Sequence, residues 1–193
     1  MNRGSRSAGR RSKKKAIEEA RTLLFLDESG FYLLPAVRRT YAPVGETPIL
    51  HPTLSHDHLS VIGAVGLPER LYFQVYETAI SSAEVIRFLG HLRRLIPGKL
   101  LIVWDGAPIH RSKAIRQFLS DGAAAWLHLE RFPGYAPEVD PEEGIWRHLK
   151  QVEMRNLCCR DLRETRREFR AACQRLRQKP HIIHSCLRHS GLV

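Results

Sequence analysis

The stretch Lys99-Leu100-Leu101-Ile102-Val103-Trp104-Asp105-Gly106-Ala107-Pro108-Ile109-His110 constrains this 193-residue chain more than any other. Its unbroken apolar run, Leu100 to Trp104, is entered through Pro97-Gly98 and ends on an acid. Such a run reads as a strand buried on both faces, the kind found in parallel or mixed sheets. Gly106 and Pro108 stop it, which puts Asp105 at the carboxyl end of a central strand. In open α/β sheets that edge binds ligands and metals. A carboxylate there must be paired, or it destabilises the strand. The competing role for Asp105 is a turn acid ahead of the next helix, although Ser112 can cap that helix itself.

Charge is the strongest compositional signal. The chain carries 31 Lys and Arg against 20 Asp and Glu, a net +11, with a pI of about 10.0. That balance favours a polyanionic partner, and nucleic acid is the commonest; a merely solvated basic surface is the alternative. Arg3, Arg6, Arg10, Arg11, Lys13, Lys14 and Lys15 stand among Gly and Ser without an acid, so residues 1–20 are expected to be a disordered basic arm. Phosphate contacts are assigned to Arg10, Arg11, Lys13, Lys14 and Lys15. No apolar run approaches the roughly 18 residues needed to span a bilayer. No apolar segment follows the basic start, so neither a secretory signal nor a membrane role is expected. Cys158, Cys159, Cys173 and Cys186 form no Cys-x-x-Cys pair and read as reduced, cytoplasmic thiols. A zinc site of Cys186 with His181, His184 or His189 has poor spacing.

Length suits one domain, expected as a core over 21–157 with a basic helical extension, 158–193. Thr22–Leu26 is a second buried strand ending on an acid, Asp27, with a turn at Glu28-Ser29-Gly30. Residues 35–57 read as a long loop or a short extra hairpin. His58–Val65 and Leu71–Tyr76 form a hairpin through Gly66–Arg70. Ser81 with Glu84 is a capping box for a helix bearing Val85, Leu89, Leu92 and Ile96. The organising strand, a helix from Ser112 to Ser120 and a fifth strand, Ala124–Leu129, follow. A Pro-rich crossing leads to a helix begun at Asp140 that carries Ile145, Trp146, Leu149 and Val152. A last helix spans about 161–178. Strands joined by tight turns are antiparallel; those reached through helices run parallel to the first. The expected fold is therefore α/β: a mixed five-stranded sheet, three strands antiparallel and then two parallel, flanked by helices. If the first and organising strands are neighbours, Asp27 and Asp105 meet at one edge. Two close carboxylates stay ionised only with a cation, and a third acid would complete a site. Glu143 is the candidate, although at N3 after Asp140 and Pro141 it can equally complete a capping box.

Phe25-Leu26-Asp27-Glu28-Ser29-Gly30-Phe31, then Val103–His110, then Tyr135-Ala136-Pro137-Glu138-Val139-Asp140-Pro141-Glu142-Glu143-Gly144-Ile145-Trp146-Arg147-His148-Leu149-Lys150 resemble, in order, the three acidic motifs of DDE transposases, closest to the bacterial insertion-sequence branch of the mariner superfamily. The resemblance implies an RNase H-like, integrase-like core with Asp27, Asp105 and Glu143 as catalytic metal ligands. Gly106 stands where the family usually has Asn, and Gly134 and Asp140 replace a Pro and an Asn. Glu142 replaces an apolar residue and leaves the third acid open by one position. His110 can contact phosphate, orient an acid, or serve packing alone.

The resemblance further implies two Mg²⁺ ions per site, with Mn²⁺ as substitute, held by carboxylates. Water would cut DNA to leave a 3′-hydroxyl, which would then attack target DNA. The implied partners are transposon ends and target DNA, a second copy in the active complex, and a separate helix-turn-helix polypeptide or frameshift fusion that reads the ends. The implied setting is bacterial and nucleoid-associated. An RNase H-like nuclease without strand transfer and an inactive DNA-binding fragment are the rival functions.

Overall fold

The computed structural model describes residues 3–132 and 140–189, with side chains from residue 11 onward. The Tyr135–Val139 part of the third acidic motif and the side chain of Arg10 lie outside the described residues. The chain runs α1 (Arg3–Glu18), β1 (Arg21–Tyr32), β2 (His58–Gly66), β3 (Arg70–Tyr76), α2 (Ser82–Leu95), β4 (Lys99–Trp104), α3 (Lys113–Ser120), β5 (Leu127–Arg131), α4 (Pro141–His148), α5 (Leu162–Arg177) and α6 (Pro180–His189). The sheet order is β3-β2-β1-β4-β5. β1 pairs antiparallel with β2 and β2 with β3, while β4 lies parallel to both β1 and β5. This is the mixed RNase H-like sheet that the strand spacing and the resemblance imply.

Period-2 alternation divides the sheet into two faces. Leu23, Phe25, Phe31, Leu101 and Val103 pack under α1, α4, α5 and α6; Leu24, Leu26, Ile62, Leu100, Ile102 and Trp104 pack under α2 and α3. Both faces are dry because β4 is apolar on both. α2 starts at the expected capping box, with Ser81 accepting from Ala83 N–H and Glu84 answering the Ser81 N–H. α3 is capped by Ser112, which accepts from the Ile115 N–H.

Several expectations are corrected. β1 does not end at Asp27: the antiparallel partner β2 continues beside it, pairing Asp27 with Gly63 and Tyr32 with His58, so Glu28-Ser29-Gly30 is strand. β5 starts later than expected, because Ala123–Ala125 forms a 3-10 turn after Gly122, whose φ is 108°. The α4 ladder widens into a π-turn over Leu149–Glu153, which leaves Val152 half exposed instead of on the apolar stripe. Residues 35–57 form a long loop without a hairpin, pinned where Asn156 bonds both Arg38 N–H and Arg38 O.

The basic arm is also corrected: residues expected to lack structure form α1. Its face of Ser12, Lys15 and Ala16 meets the sheet. Ser12 Oγ donates to Glu130 at 2.7 Å, and Lys15 Nζ donates to the same carboxylate at 2.8 Å. Both bonds help hold Glu130 below the usual carboxylate range, although its partial burial works in the opposite direction. Lys15 is thus a docking anchor, whereas Arg11 and Lys14 remain exposed.

Candidate active site

The carboxyl edge of β1 and β4 gathers the acids. Asp27 extends from β1 on the face of Phe25 and Phe31, where α4 crosses. That crossing is close because β2 has Gly63 opposite Asp27: a Cβ there would stand 2.5 Å from the Trp146 ring. Trp146 Nε1–H accordingly reaches Asp27 Oδ2 at 3.0 Å. Burial, followed by the neighbouring Glu28 charge, pushes the Asp27 carboxyl up to about 7, against the pull of the Trp146 bond.

Asp105 follows the last residue of β4. One oxygen accepts from the Ala107 N–H at 2.8 Å and lies 2.7 Å from His110 Nδ1. The turn role and the edge position therefore coexist. His110 is buried and stacked on Trp104, with centroids 4.3 Å apart and planes 6° apart. Its other nitrogen, Nε2, lies 3.0 Å from Glu28 Oε1. Burial alone would lower the His110 pKa, but the Glu28 and Asp105 carboxylates outweigh it and leave it raised. His110 is thus a clamp between two acids of adjacent strands.

α4 brings the remaining acids. Asp140 is its N-cap, accepting from the Glu142 N–H at 2.9 Å, and Pro141 is the first helical residue. The reciprocal bond of a capping box from Glu143 is not among those formed by the described residues; Glu143 is exposed. Burial, then the charge of Asp27, and less strongly those of Glu143 and Asp105, push Asp140 up to about 8. Glu142 points the other way, into the protein, only 1% exposed, with one oxygen unpartnered among the described residues. Burial raises it well above the carboxylate range. Lys150, on the π-turn after α4, donates to Ser29 Oγ at 2.7 Å and lies over the Phe31 ring. Burial lowers its pKa, while Glu143 and Asp27 act to raise it.

Asp27, Asp105 and Glu143 therefore line one edge, together with Asp140, Glu28 and Lys150, which the sequence reading did not assign to a site. The density of acids around Asp140-Pro141-Glu142-Glu143 was the available signal for Asp140; nothing local marks Lys150. Among the described residues, no three His, Cys, Asp or Glu side chains are drawn close enough to form a finished metal cage. This includes Cys186 with its neighbouring histidines: His184 Nδ1 is 2.8 Å from Glu69 Oε1, and His189 Nδ1 donates to Ser185 O. All four cysteines are free, and burial pushes the Cys173 thiol up to about 12. Beside Glu143 an open groove of about 920 Å³ runs between α4 and α6, lined by Trp146, Arg147, Lys150, Ile182 and His189.

The fold is similar to that of the Mos1 mariner transposase. The Mos1 paired-end complex with Mn aligns at a TM-score of 0.60 and 14% identity, over 99% of this chain and 64% of that one. The Mos1 strand transfer complex aligns at 0.58 and 13%, over 97% and 60%. The isolated Mos1 catalytic domain aligns at 0.52 and 12%, over 99% and 96%. This chain thus spans about 60% of the longer Mos1 polypeptide and nearly all of its catalytic domain. At such identities the likeness is one of fold. No curated protein sequence matches significantly. A family model for the DDE superfamily endonucleases matches residues 22–166, a span that includes Asp27, Asp105, Asp140 and Glu143. Fold and family model agree over most of the chain, and this protein belongs to the DDE superfamily endonucleases.

Proposed function

We propose that this chain is the catalytic domain of a transposase that cuts DNA and joins the freed 3′ end to a target, with Asp27, Asp105 and Glu143 holding divalent cations. The observation that carries this reading is the convergence of acids from β1, the end of β4 and the start of α4 on one edge. Burial, and then the like charges beside them, push Asp27 up to about 7 and Asp140 up to about 8. Such a group ionises together only when cations neutralise it. The donors are all carboxylate oxygens, which suit Mg²⁺ or Mn²⁺, and Mos1 complexes with Mg and with Mn are among the similar structures. When bound, two such ions supply positive charge to the attacking and leaving oxygens of an in-line displacement at phosphorus.

The protein's own groups position this chemistry. Trp146 orients Asp27, and His110 with the Ala107 N–H orients Asp105. Exposed Glu143 is free to turn toward them, whereas buried Glu142 is not, which favours Glu143 as the third ligand. Lys150 offers a proton-bearing nitrogen to a phosphate oxygen, and the groove lined by Arg147 and Lys150 as well as by Asp140 and Glu143 accommodates the DNA strand. In cleavage, a water oxygen bonds to phosphorus as the bond to the 3′ oxygen breaks, leaving a 3′-hydroxyl and a 5′-phosphate. In joining, that hydroxyl bonds to a target phosphorus and displaces its 3′ oxygen. Arg11, Lys13 and Lys14 of α1 contact phosphates without reading bases. Two copies act together on paired ends, and a helix-turn-helix partner reads the end sequence.

The test is Mg²⁺-dependent nicking of DNA followed by a strand-joining assay. Asp105→Asn is expected to reduce both to background while the circular dichroism spectrum is retained. A variant with unimpaired cleavage would remove Asp105 as a ligand; cleavage by the wild type without joining would favour a simple nuclease.

A further inference from the structure

We propose that Arg131 is a phosphate-gripping residue at the acidic edge and that Gly106 is the vacancy that lets it reach there; this rests on the reading of the chain as a DNA-processing enzyme. Arg131 is the last residue of β5 and pairs across the ladder with Trp104, one residue before Asp105. By period-2 alternation it shares the sheet face of Leu127 and Leu129, the face on which His110 stacks over Trp104. Its guanidinium lies against Gly106: a Cβ built there would stand 2.3 Å from Nη2, 3.2 Å from Cζ and 3.4 Å from Nε. Gly106 does not have a left-handed backbone conformation, unlike Gly45, Gly98 and Gly122. A methyl group at Gly106 would therefore displace the guanidinium from its present position.

The placement has an electrostatic consequence. Arg131 is exposed, and among the described residues no carboxylate lies within ion-pairing distance of its guanidinium. A cation with no ion-pair partner among the described residues thus stands beside an edge bearing Asp27, Asp105, Asp140 and Glu143. A DNA phosphate approaching that edge is repelled by every acid not covered by metal. Lys150 offsets this on the α4 face, where Ser29 tethers it. Arg131 is the corresponding cation on the opposite face. The planar fork of a guanidinium matches two phosphate oxygens, so the chemistry that fits it is a phosphodiester of the DNA backbone next to the one being cut.

Binding of the full 193-residue chain to a short duplex of arbitrary sequence, without divalent metal and across a salt series, tests this. Arg131→Ala is expected to weaken binding about tenfold at low salt and to reduce the log–log salt slope by about one. Arg131→Lys should recover part of the affinity, because a point charge remains. Gly106→Ala should weaken binding several-fold by pushing the guanidinium aside, and should add nothing in an Arg131→Ala background. Cleavage by Arg131→Ala should show a raised KM with kcat less affected. Wild-type affinity and salt slope in Arg131→Ala would overturn the proposal. So would a Gly106→Ala effect of equal size in both backgrounds. If the wild type binds DNA in an Arg131-dependent way but never cuts it with Mg²⁺, the catalytic reading fails and this contact stands.

Discussion

At the residue scale, the most informative group is His110. A histidine between two carboxylates on neighbouring strands costs desolvation unless both of its nitrogens are used, and here both are. Its ring is fixed by the stack on Trp104, so it fixes Asp105 in turn. A group that orients a metal ligand typically alters metal affinity or activity by about 10–100-fold when removed. His110→Ala is therefore expected to cut DNA about 10–100-fold more slowly at limiting Mg²⁺, with the half-saturating Mg²⁺ concentration displaced upward and part of the rate recovered at high Mg²⁺. A Mg²⁺ titration of nicking, run well below the melting temperature, measures this. An unchanged Mg²⁺ requirement would reduce His110 to a packing residue.

At the element scale, α4 must hold its acids steady although its ladder loosens into a π-turn directly afterwards. Glu153 closes that turn. Its side chain is 4% exposed, and its oxygens take Arg175 Nε–H at 2.7 Å and Lys179 Nζ at 2.7 Å, with His148 Nε2 at 3.3 Å. Burial would raise its pKa, but the bonds from Lys179 and Arg175 overcome this and lower it to about 2. Breaking a fully buried pair costs about 3–5 kcal/mol; Arg175 and Lys179 are about half exposed, so roughly 2 kcal/mol is expected for Glu153→Gln at pH 7. A carboxyl with a depressed native pKa stabilises the fold above its unfolded pKa and loses that contribution as pH falls through its native one. The gap in unfolding free energy between wild type and Glu153→Gln should therefore shrink from about pH 4.5 toward pH 2. Denaturant unfolding across that window measures it, and a gap independent of pH would show that charge is not what Glu153 contributes.

At the scale of the whole molecule, α1 runs antiparallel to β1, and its Ser12 lies beside Glu130 near the carboxyl ends of β4 and β5. Residues 3–11 continue from there for about 13 Å of helix. The basic segment is thus helical and clipped to β5 through Glu130. Deleting residues 1–15 should weaken binding to all DNA sequences about equally and make its salt dependence shallower. It should also lower the melting temperature, because Glu130 loses both Ser12 and Lys15. Salt-series binding to two unrelated duplexes, with a thermal melt of each protein, separates these effects. Unchanged affinity and slope would leave α1 a structural helix only.

The sequence by itself determined the strands, their relative directions and Asp105 at the carboxyl end of β4, while the β1–β4 adjacency came from the structure. The former follow from local rules: a doubly buried apolar run, short hairpin turns and the right-handed crossover leave few topologies. It also determined the caps of α2 and α3, since Ser81, Glu84 and Ser112 act within one turn. Only the tertiary structure decided where β1 stops, because its extension past Asp27 depends on the length of β2, whose pairing residues stand 26 to 34 positions further along the chain. Tertiary packing likewise decided that the basic segment is helical, through Glu130, and that Glu142 is buried while Glu143 is exposed, through the angle at which α4 crosses Gly63. Those outcomes rest on contacts between residues distant in sequence, and periodicity within a segment carries no record of them.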